Sequence, residues 1–336
     1  MTMTKLAALA VAIFVAAGLS ASAQTIKFGT LAPQGSPWHA IARDMAEAWK
    51  TESAGKIDVR IYPGGVAGDD PDMVRKMRIG QLQMAGLTGV GLSRIIPEIA
   101  ALQMPMLLTN SGELNYVRDR VSPEIEALLE EKGFKLLAWA DVGWVHFFTR
   151  QPVRRPNDLK AEKLWIWAGD TTYLEAWKSA GYQPVPLPST EIFTGLQSGL
   201  VTAFTTTPLA ALSYQWFPKA NHMTDLRWAP FVGALVITTR SWEEIPAALR
   251  PALLESAKRT GERVKGLVDT LNADAIKSME KRGLVVEPVP AAAVAEWEQS
   301  VKTAAYPKVV GTSVPADMFS KVERLRDEYR RLQSQK

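Results

Sequence analysis

Short apolar strands alternate with amphipathic helices along most of this chain, and this alternation constrains its fold more than any other feature. Residues 26–30 alternate as a strand, and a turn with two prolines and a glycine leads from them into a helix with one apolar face. Residues 57–61 alternate as a second strand, the helix after Pro71 ends near Gly80, and another apolar stretch follows. This order favours mostly parallel sheets covered by helices, the α/β class.

Two segments of the chain share one plan. Residues 77–88 (MRIGQLQMAGLT) and 196–207 (LQSGLVTAFTTT) each contain a helix end, a glycine, an apolar strand and then threonine. Ligands of open α/β sheets bind beyond the carboxyl ends of the strands. We therefore expect Thr88 and the threonines at 205–207 to face a shared cleft between two lobes of similar design, with two unrelated parallel strands as the alternative.

Proline and capping patterns predict other elements. The stretch PVPLP at 184–188 cannot lie in a central ladder, so it predicts an edge strand or an extended crossover. Ser241 and Glu244 have the spacing of a capping box for a long helical region that stops at Gly283. Apolar side chains at helical spacing predict a last helix over 316–332.

The first 23 residues have the pattern of a secretory signal. Lys5 precedes an uninterrupted apolar run of 14 residues, and Ala-Ser-Ala at 21–23 is a small-x-small cleavage site. Fourteen helical residues span roughly 21 Å, which is short of the ~30 Å hydrocarbon core of a bilayer. We therefore expect cleavage after Ala23 and a periplasmic mature chain that starts at Gln24, rather than a permanent membrane anchor.

Composition and motifs exclude several chemistries. The chain has no cysteine and three histidines far apart in sequence, so we predict neither a metal centre nor a cofactor. Its 39 basic and 35 acidic residues are interspersed, which gives no nucleic-acid footprint. HExxH, GxSxG and GxxxxGK[ST] motifs are absent, and GGVAGDD at 64–70 favours a turn and a helix cap. Only Asp170, Glu175 and His146 could meet as catalytic groups, so we do not expect an enzyme.

Several longer segments, taken together, resemble the solute-binding proteins of TRAP (tripartite ATP-independent periplasmic) transporters of the dicarboxylate-binding type. These segments follow the family's order from Ile26 to about Pro246. They are IKFGTLAPQGSPWH, YPGGVAGDD, RIGQLQMA, PEIAALQMPML, EKGFKLLAWADVGW, RRPNDLKAEKLWIW and AGYQPVPLPSTEIFTGLQSGLVTAF.

The resemblance implies a two-lobed α/β periplasmic binding protein, type II-like, with hinge strands and a long connecting helix. It places residues 24–142 and 231–270 in lobe one, and 143–230 and 271–336 in lobe two, after a signal peptide over 1–23. Such proteins close on a small-molecule ligand and deliver it to membrane permease subunits. A lipid or hydrophobe carrier that works with a tetratricopeptide-repeat protein is the alternative.

The chain departs from the family at three anionic-ligand positions. The family usually carries an arginine two residues after the glycine that is Gly143 here, and this chain has Val145. The carboxylate-binding arginine of the family's LK-x-R-V-P motif corresponds to Trp165, and the ligand-binding asparagine of its DGQENP segment corresponds to Thr206 or Thr207. The resemblance therefore implies a divergent branch that lacks the usual carboxylate-binding arginines.

Aromatic side chains in place of a charged pair offer stacking and apolar area. We therefore predict a more hydrophobic or aromatic ligand, including lipid-like molecules. Two alternatives remain: Trp165 and Trp167 belong to the core while Arg94 or Arg227 binds a carboxylate of a conventional organic acid, and His146 is a hydrogen-bonded core histidine. The predicted ligand-binding residues are Trp165, Trp167, Trp144, Val145, Tyr173 and Phe204, with polar contacts from Thr88, Thr206, Thr207 and His146.

Overall fold

The computed structural model describes residues 23–168 and 171–335. The predicted signal peptide, apart from Ala23, lies outside the described residues, as does Asp170. None of the described helices is both long enough and apolar enough to cross a membrane.

Strands and helices alternate through most of the described chain, as the sequence predicts. The strands are β1 (Gln24–Thr30), β2 (Ile57–Tyr62), β3 (Met84–Thr88), β4 (Phe134–Trp139), β5 (Gly143–Thr149), β6 (Lys163–Trp167), β7 (Gln183–Leu187), β8 (Ala203–Thr206), β9 (His222–Asp225), β10 (Ala229–Phe231), β11 (Gly233–Thr238) and β12 (Val285–Pro288). The α-helices are α1 (Pro37–Glu52), α2 (Asp70–Arg78), α3 (Gly89–Ser93), α4 (Ser111–Glu131), α5 (Pro156–Leu159), α6 (Thr171–Ser179), α7 (Ile192–Ser198), α8 (Pro208–Ser213), α9 (Thr239–Glu244), α10 (Arg250–Glu280), α11 (Ala291–Ser300), α12 (Tyr306–Val309) and α13 (Ala316–Ser334).

The strands form two sheets, one for each lobe. The first sheet has the order β2-β1-β3-β11-β4, in which β1, β2 and β3 are parallel and β11 is antiparallel to both of its neighbours. The second has the order β12-β9-β5-β8-β6-β7, with β10 paired to β5. The Pro-rich strand β7 lies at its edge and pairs with β6, so of the two alternatives predicted for PVPLP the structure has the edge strand and not the extended crossover.

Two neighbouring segments carry the chain between the sheets. The chain leaves the first sheet after β4 and enters the second at β5, and it returns from β10 to β11. The two crossings are hydrogen-bonded to each other: the Ala140 N–H donates to the Gly233 carbonyl at 2.7 Å, and the Val142 N–H to the Phe231 carbonyl at 2.8 Å. These paired crossings correspond to the expected hinge strands.

The long helix α10 spans both sheets. It packs against α1 and β4 on one side and against α8 and β5 on the other. Near the crossings, the Asn272 amide donates to the Val142 carbonyl at 3.1 Å, and its oxygen accepts from the Leu209 N–H at 2.9 Å. Gly143 has φ 119 and lies against Asn272, where a Cβ would come within 2.5 Å of the amide nitrogen. Helix α10 thus stabilises the hinge through the hydrogen bonds of Asn272.

The predicted start of this helical region is wrong. Thr238 caps α9 by accepting from the Ser241 N–H at 3.3 Å, so Ser241 lies inside the first turn rather than at the cap. Helix α9 ends at Glu244 just before Pro246, and α10 begins separately at Arg250 with Pro251 in its first turn. A proline is tolerated in the first turn of a helix but not in its interior, and this explains the break.

The C-terminal helix α13 packs against α4 and the 3₁₀ helix at 97–103, which cover the first sheet. Met318, Phe319 and Val322 are buried there. The exact residue numbers of the predicted lobe division stay a prediction.

Candidate functional site

A cavity between the two sheets combines side chains from both. The first sheet and its helices contribute Thr30, Leu31, Thr88 and apolar side chains of α1 and β11. The second sheet contributes aromatic and hydroxyl side chains at the ends of β6 and β8 and just after α8. The second-lobe residues are Trp165, Trp167, Ser189, Thr205, Thr206, Ala210, Tyr214 and Trp216. None of the described residues that line this first cavity carries a charge.

Trp165 forms a fixed wall of this cavity. Its side chain is 3 % exposed, its Nε1–H donates to the Leu187 carbonyl at 2.9 Å, and its ring lies 5.1 Å from that of Trp167. It also packs against the apolar core behind β8. Because its polar atom is satisfied within the protein, the face turned to the cavity offers only apolar and π contacts.

A second cavity lies on the other side of Trp165. Trp165, Trp167, Thr205 and Phe231 line both cavities, and we call these four residues the partition. Beyond the partition, the second cavity is bordered by α3 and the 3₁₀ helix at 97–103 in lobe one, and by α6, Val145 and the π-helical turn at 301–305 in lobe two. Its aromatic side chains are Tyr173, Trp177, Tyr182 and Trp228, and its one described charged side chain is Arg94.

Three of the predicted threonines, Thr88, Thr205 and Thr206, line the first cavity. Thr88 ends β3 and caps α3, and Thr206 ends β8, as parallel strands of similar design predict. The Thr88 hydroxyl and N–H both donate to Oδ2 of Asp70, which is completely buried. Burial raises the pKa of Asp70 to about 7, the Thr88 hydroxyl opposes this rise, and the neighbouring Asp69 adds to it.

Hydrogen bonds join the two lobes at the edge of this cavity. Asp69 caps α2 in lobe one and accepts two hydrogen bonds from Ser189 of lobe two, from its N–H at 2.9 Å and its hydroxyl at 2.7 Å. The Tyr214 hydroxyl donates to the Leu31 carbonyl across the same edge. Burial and the two aspartates raise the pKa of Tyr214, so its hydroxyl stays protonated and can donate. The structure therefore has the two lobes in contact around the cavity.

Four of the predicted site residues line neither cavity. Phe204 is fully buried and stacks on Phe148 at 5.0 Å, and Thr207 is fully buried after β8. Trp144 is buried, with the Arg227 guanidinium 5.6 Å from its ring centroid. His146 is buried with Nδ1 3.1 Å from the Thr224 carbonyl, and burial lowers its pKa, which favours the core-histidine alternative.

Catalytic groups do not assemble in the described residues. Glu175 is exposed and pairs with Lys178 at 3.2 Å, whereas His146 is buried. Within residues 23–168 and 171–335, no group of three or more acidic or histidine side chains has the arrangement of a metal site.

Sequence reasoning missed several lining residues. Ser189 begins a three-residue 3₁₀ helix after β7, and Tyr214 and Trp216 follow α8 in a turn, so these segments are too short for periodicity to mark an inward face. Trp177 and Trp228 come from distant parts of the chain and stack on each other at 5.8 Å. An excess of tryptophan in the composition was the one available signal, and it does not say which of them meet.

Two lobes joined by paired crossings, with an enclosed site between them, define a solute-binding protein of the periplasmic type. The chain belongs to the DctP family, the bacterial extracellular solute-binding proteins of family 7, whose model matches residues 28–309. Members of this family are transport proteins of the extracellular or periplasmic space and work with membrane permease subunits.

Relatives and solved structures agree with this assignment. The chain is 26% identical over 292 residues to the 2,3-diketo-L-gulonate-binding periplasmic protein YiaO of Escherichia coli K12, covering 84% of this chain and 88% of that protein. It matches a TRAP solute-binding protein of Bradyrhizobium sp. BTAi1 in complex with D-galacturonate (TM-score 0.81, 25% identity, 90% and 100% of the chains). It also matches one of Ralstonia eutropha H16 with bound (S)-2-acetolactate (TM-score 0.83, 22% identity, 90% and 99% of the chains).

The ligands of these relatives correct one expectation. Diketogulonate, galacturonate and acetolactate are all carboxylates, which contradicts the expectation of a hydrophobic, lipid-like ligand. The divergent branch without the usual arginines, the helical-repeat partner and the signal peptide stay predictions.

Proposed function

We propose that this protein is the periplasmic solute receptor of a TRAP-type transporter, and that it encloses a small organic acid between its lobes for delivery to permease subunits. The observation that carries the proposal is the first cavity, whose walls come from both lobes and meet at the Asp69–Ser189 contact. A ligand held there contacts both lobes at once, so its binding energy favours the closed state.

The walls of the cleft limit the body of the ligand. Among the described residues of the first cavity, the polar side-chain groups are hydroxyls and tryptophan N–H groups, and the other side chains are aromatic or aliphatic. A highly hydroxylated sugar acid needs many hydrogen bonds, because each polar group that loses water without a partner costs about 1 to 3 kcal/mol. The cleft therefore favours an organic acid with an apolar or aromatic body and few hydroxyl groups.

A ligand screen followed by scattering tests this proposal. The purified protein would be screened by thermal shift with acidic sugars, C4-dicarboxylates, and aryl and alkyl carboxylates. We expect at least one carboxylate to raise Tm and to quench or shift tryptophan fluorescence, because Trp165 and Trp167 line the cleft. Small-angle scattering with that compound should show a smaller radius of gyration than the ligand-free protein.

A screen in which no carboxylate raises Tm would count against the receptor function. An unchanged radius of gyration at saturating ligand would count against closure of the lobes on the ligand. The screen and the scattering thus test capture and closure separately.

A further inference from the structure

The cleft has an unusual charge distribution. Among the described residues that line the two cavities there is no carboxylate and no histidine, and Arg94 is the one cation. The Arg94 guanidinium makes no hydrogen bond or ion pair with any described residue. Its backbone carbonyl accepts from the Arg78 guanidinium at 2.9 Å, and Arg78 itself lines neither cavity. Arg94 is therefore the one source of charge among the described residues that line the second cavity.

Arg94 is also well placed in the fold. The short helix α3 joins the two cavities: Thr88, which caps it, lines the first cavity, and Gly89, Ser93 and Arg94 line the second. Gln103 supplies a further hydrogen-bonding side chain at this end. The Gln103 amide lies against Gly89, where a Cβ would come within 1.9 Å of its nitrogen. Glycine at position 89 thus leaves room for Gln103, which lines the same cavity as Arg94.

We infer that Arg94 binds the carboxylate of the ligand from the second-cavity end of the cleft, while the uncharged body of the ligand lies against the partition residues, which also line the first cavity. This inference rests on the proposed receptor function and names the ligand class and its anchor. A guanidinium presents paired N–H donors that match the two oxygens of a carboxylate, and no acidic side chain is among the described residues that line this cavity. The anchor therefore comes from lobe one, at a position other than those of Val145 and Trp165.

The presence of a single described charged side chain, Arg94, in the lining of the cleft limits the ligand to one carboxylate. A dicarboxylate bound at Arg94 would place its second charged group in a cleft whose other described side chains are uncharged. Burying an unpaired carboxylate is strongly unfavourable. The ligand class is therefore a monocarboxylate with an apolar or aromatic body, such as an arylalkanoate.

Isothermal titration calorimetry with matched probes tests the inference. The probes are 3-phenylpropionate, its neutral amide 3-phenylpropanamide, succinate and D-galacturonate. The variants are Arg94→Gln, Arg94→Lys and the control Arg227→Gln. Arg227 is equally an exposed arginine, but it lies over Trp144 and lines neither cavity. Circular dichroism would verify that each variant folds, which is expected for exposed side chains.

We expect the wild type to bind 3-phenylpropionate at least about tenfold more tightly than the amide or succinate. Arg94→Gln should weaken binding of the acid about tenfold or more and change binding of the amide less than about twofold. Arg94→Lys should fall between wild type and Arg94→Gln, because it keeps the charge but not the paired donors. Arg227→Gln should bind all four probes as the wild type does.

Several results would overturn the inference. Equal binding of acid and amide, or undiminished binding of the acid by Arg94→Gln, would remove Arg94 as the anchor and leave the receptor function intact. Tighter binding of succinate or D-galacturonate than of 3-phenylpropionate would refute the ligand class, as would failure of all four probes to bind. The receptor function itself would fail only if the wider thermal-shift screen also produced no ligand.

Discussion

Replacing Asp70 with asparagine should stabilise the protein at neutral and alkaline pH. Asp70 is completely buried between α2 and α3, and Thr88 donates two hydrogen bonds to it. Burial raises its pKa from 3.8 to about 7. Asparagine is neutral at every pH and keeps an oxygen that can accept from Thr88, so the variant retains the contacts without the cost of burying a charge.

The size of the effect follows from the two pKa values of Asp70. Between pH 3.8 and about 7 the native state keeps a proton that the unfolded chain has lost, so the free energy of unfolding falls as the pH rises through this window. At about 1.36 kcal/mol per pH unit, the full window corresponds to roughly 4 kcal/mol. Of this, roughly 3 kcal/mol should be lost between pH 4.5 and pH 8 in the wild type and not in Asp70→Asn.

Urea denaturation at pH 4.5 and pH 8 measures this difference. The matched control is Asp72→Asn on the same helix, because the Asp72 side chain is half-exposed and pairs with Arg75 at 2.8 Å. Asp72→Asn should follow the pH dependence of the wild type. If the free energies of unfolding of wild type and Asp70→Asn keep a constant difference across this pH range, the buried carboxylate does not titrate as argued.

Three further changes test the cleft and the hinge. Trp165→Ala should weaken ligand affinity by about 1 to 3 kcal/mol in calorimetry. Trp144 lies outside both cavities, so Trp144→Ala should not weaken it. If Trp165→Ala binds the ligand as tightly as the wild type, Trp165 has only a packing role. Ser189→Ala removes the 2.7 Å hydrogen bond from the Ser189 hydroxyl to Asp69, and it should destabilise the closed state by about 1.5 to 3 kcal/mol. The radius of gyration in scattering should therefore increase. An unchanged radius would show that this hydrogen bond does not hold the lobes together. Asn272→Ala should lower the free energy of unfolding by about 1 to 3 kcal/mol, and an unaltered Tm would refute its part in bracing the hinge.

Features that depend on near neighbours in the chain were predictable from the sequence. Gly80 and Gly199 have φ 74 after their helices, as the repeated helix–glycine–strand plan predicts. That plan also placed Thr88 and Thr206 at strand ends, and both line the first cavity. The edge position of β7 followed from proline chemistry alone.

Features that depend on distant parts of the chain were not predictable. The sheets contain antiparallel as well as parallel pairs, unlike the mostly parallel sheets that the sequence predicts, and strands such as β5, β8 and β11 bury successive residues. Apolar strand residues therefore do not reveal which face meets the cleft. Phe204 lies in the core against Phe148, while its neighbour Thr205 belongs to the partition. The sequence does not distinguish Arg94 from the other arginines. Only the fold shows that it lines a cavity together with aromatic side chains of the other lobe.

The most direct test of the account is native mass spectrometry of the protein purified from a periplasmic fraction, with identification of the small molecule released on denaturation. The account predicts one bound molecule per chain, an organic acid with a single carboxylate and an apolar or aromatic body. A protein that carries and binds no small molecule, or one that releases a neutral lipid, would contradict the claim that the cleft captures an organic acid between its lobes.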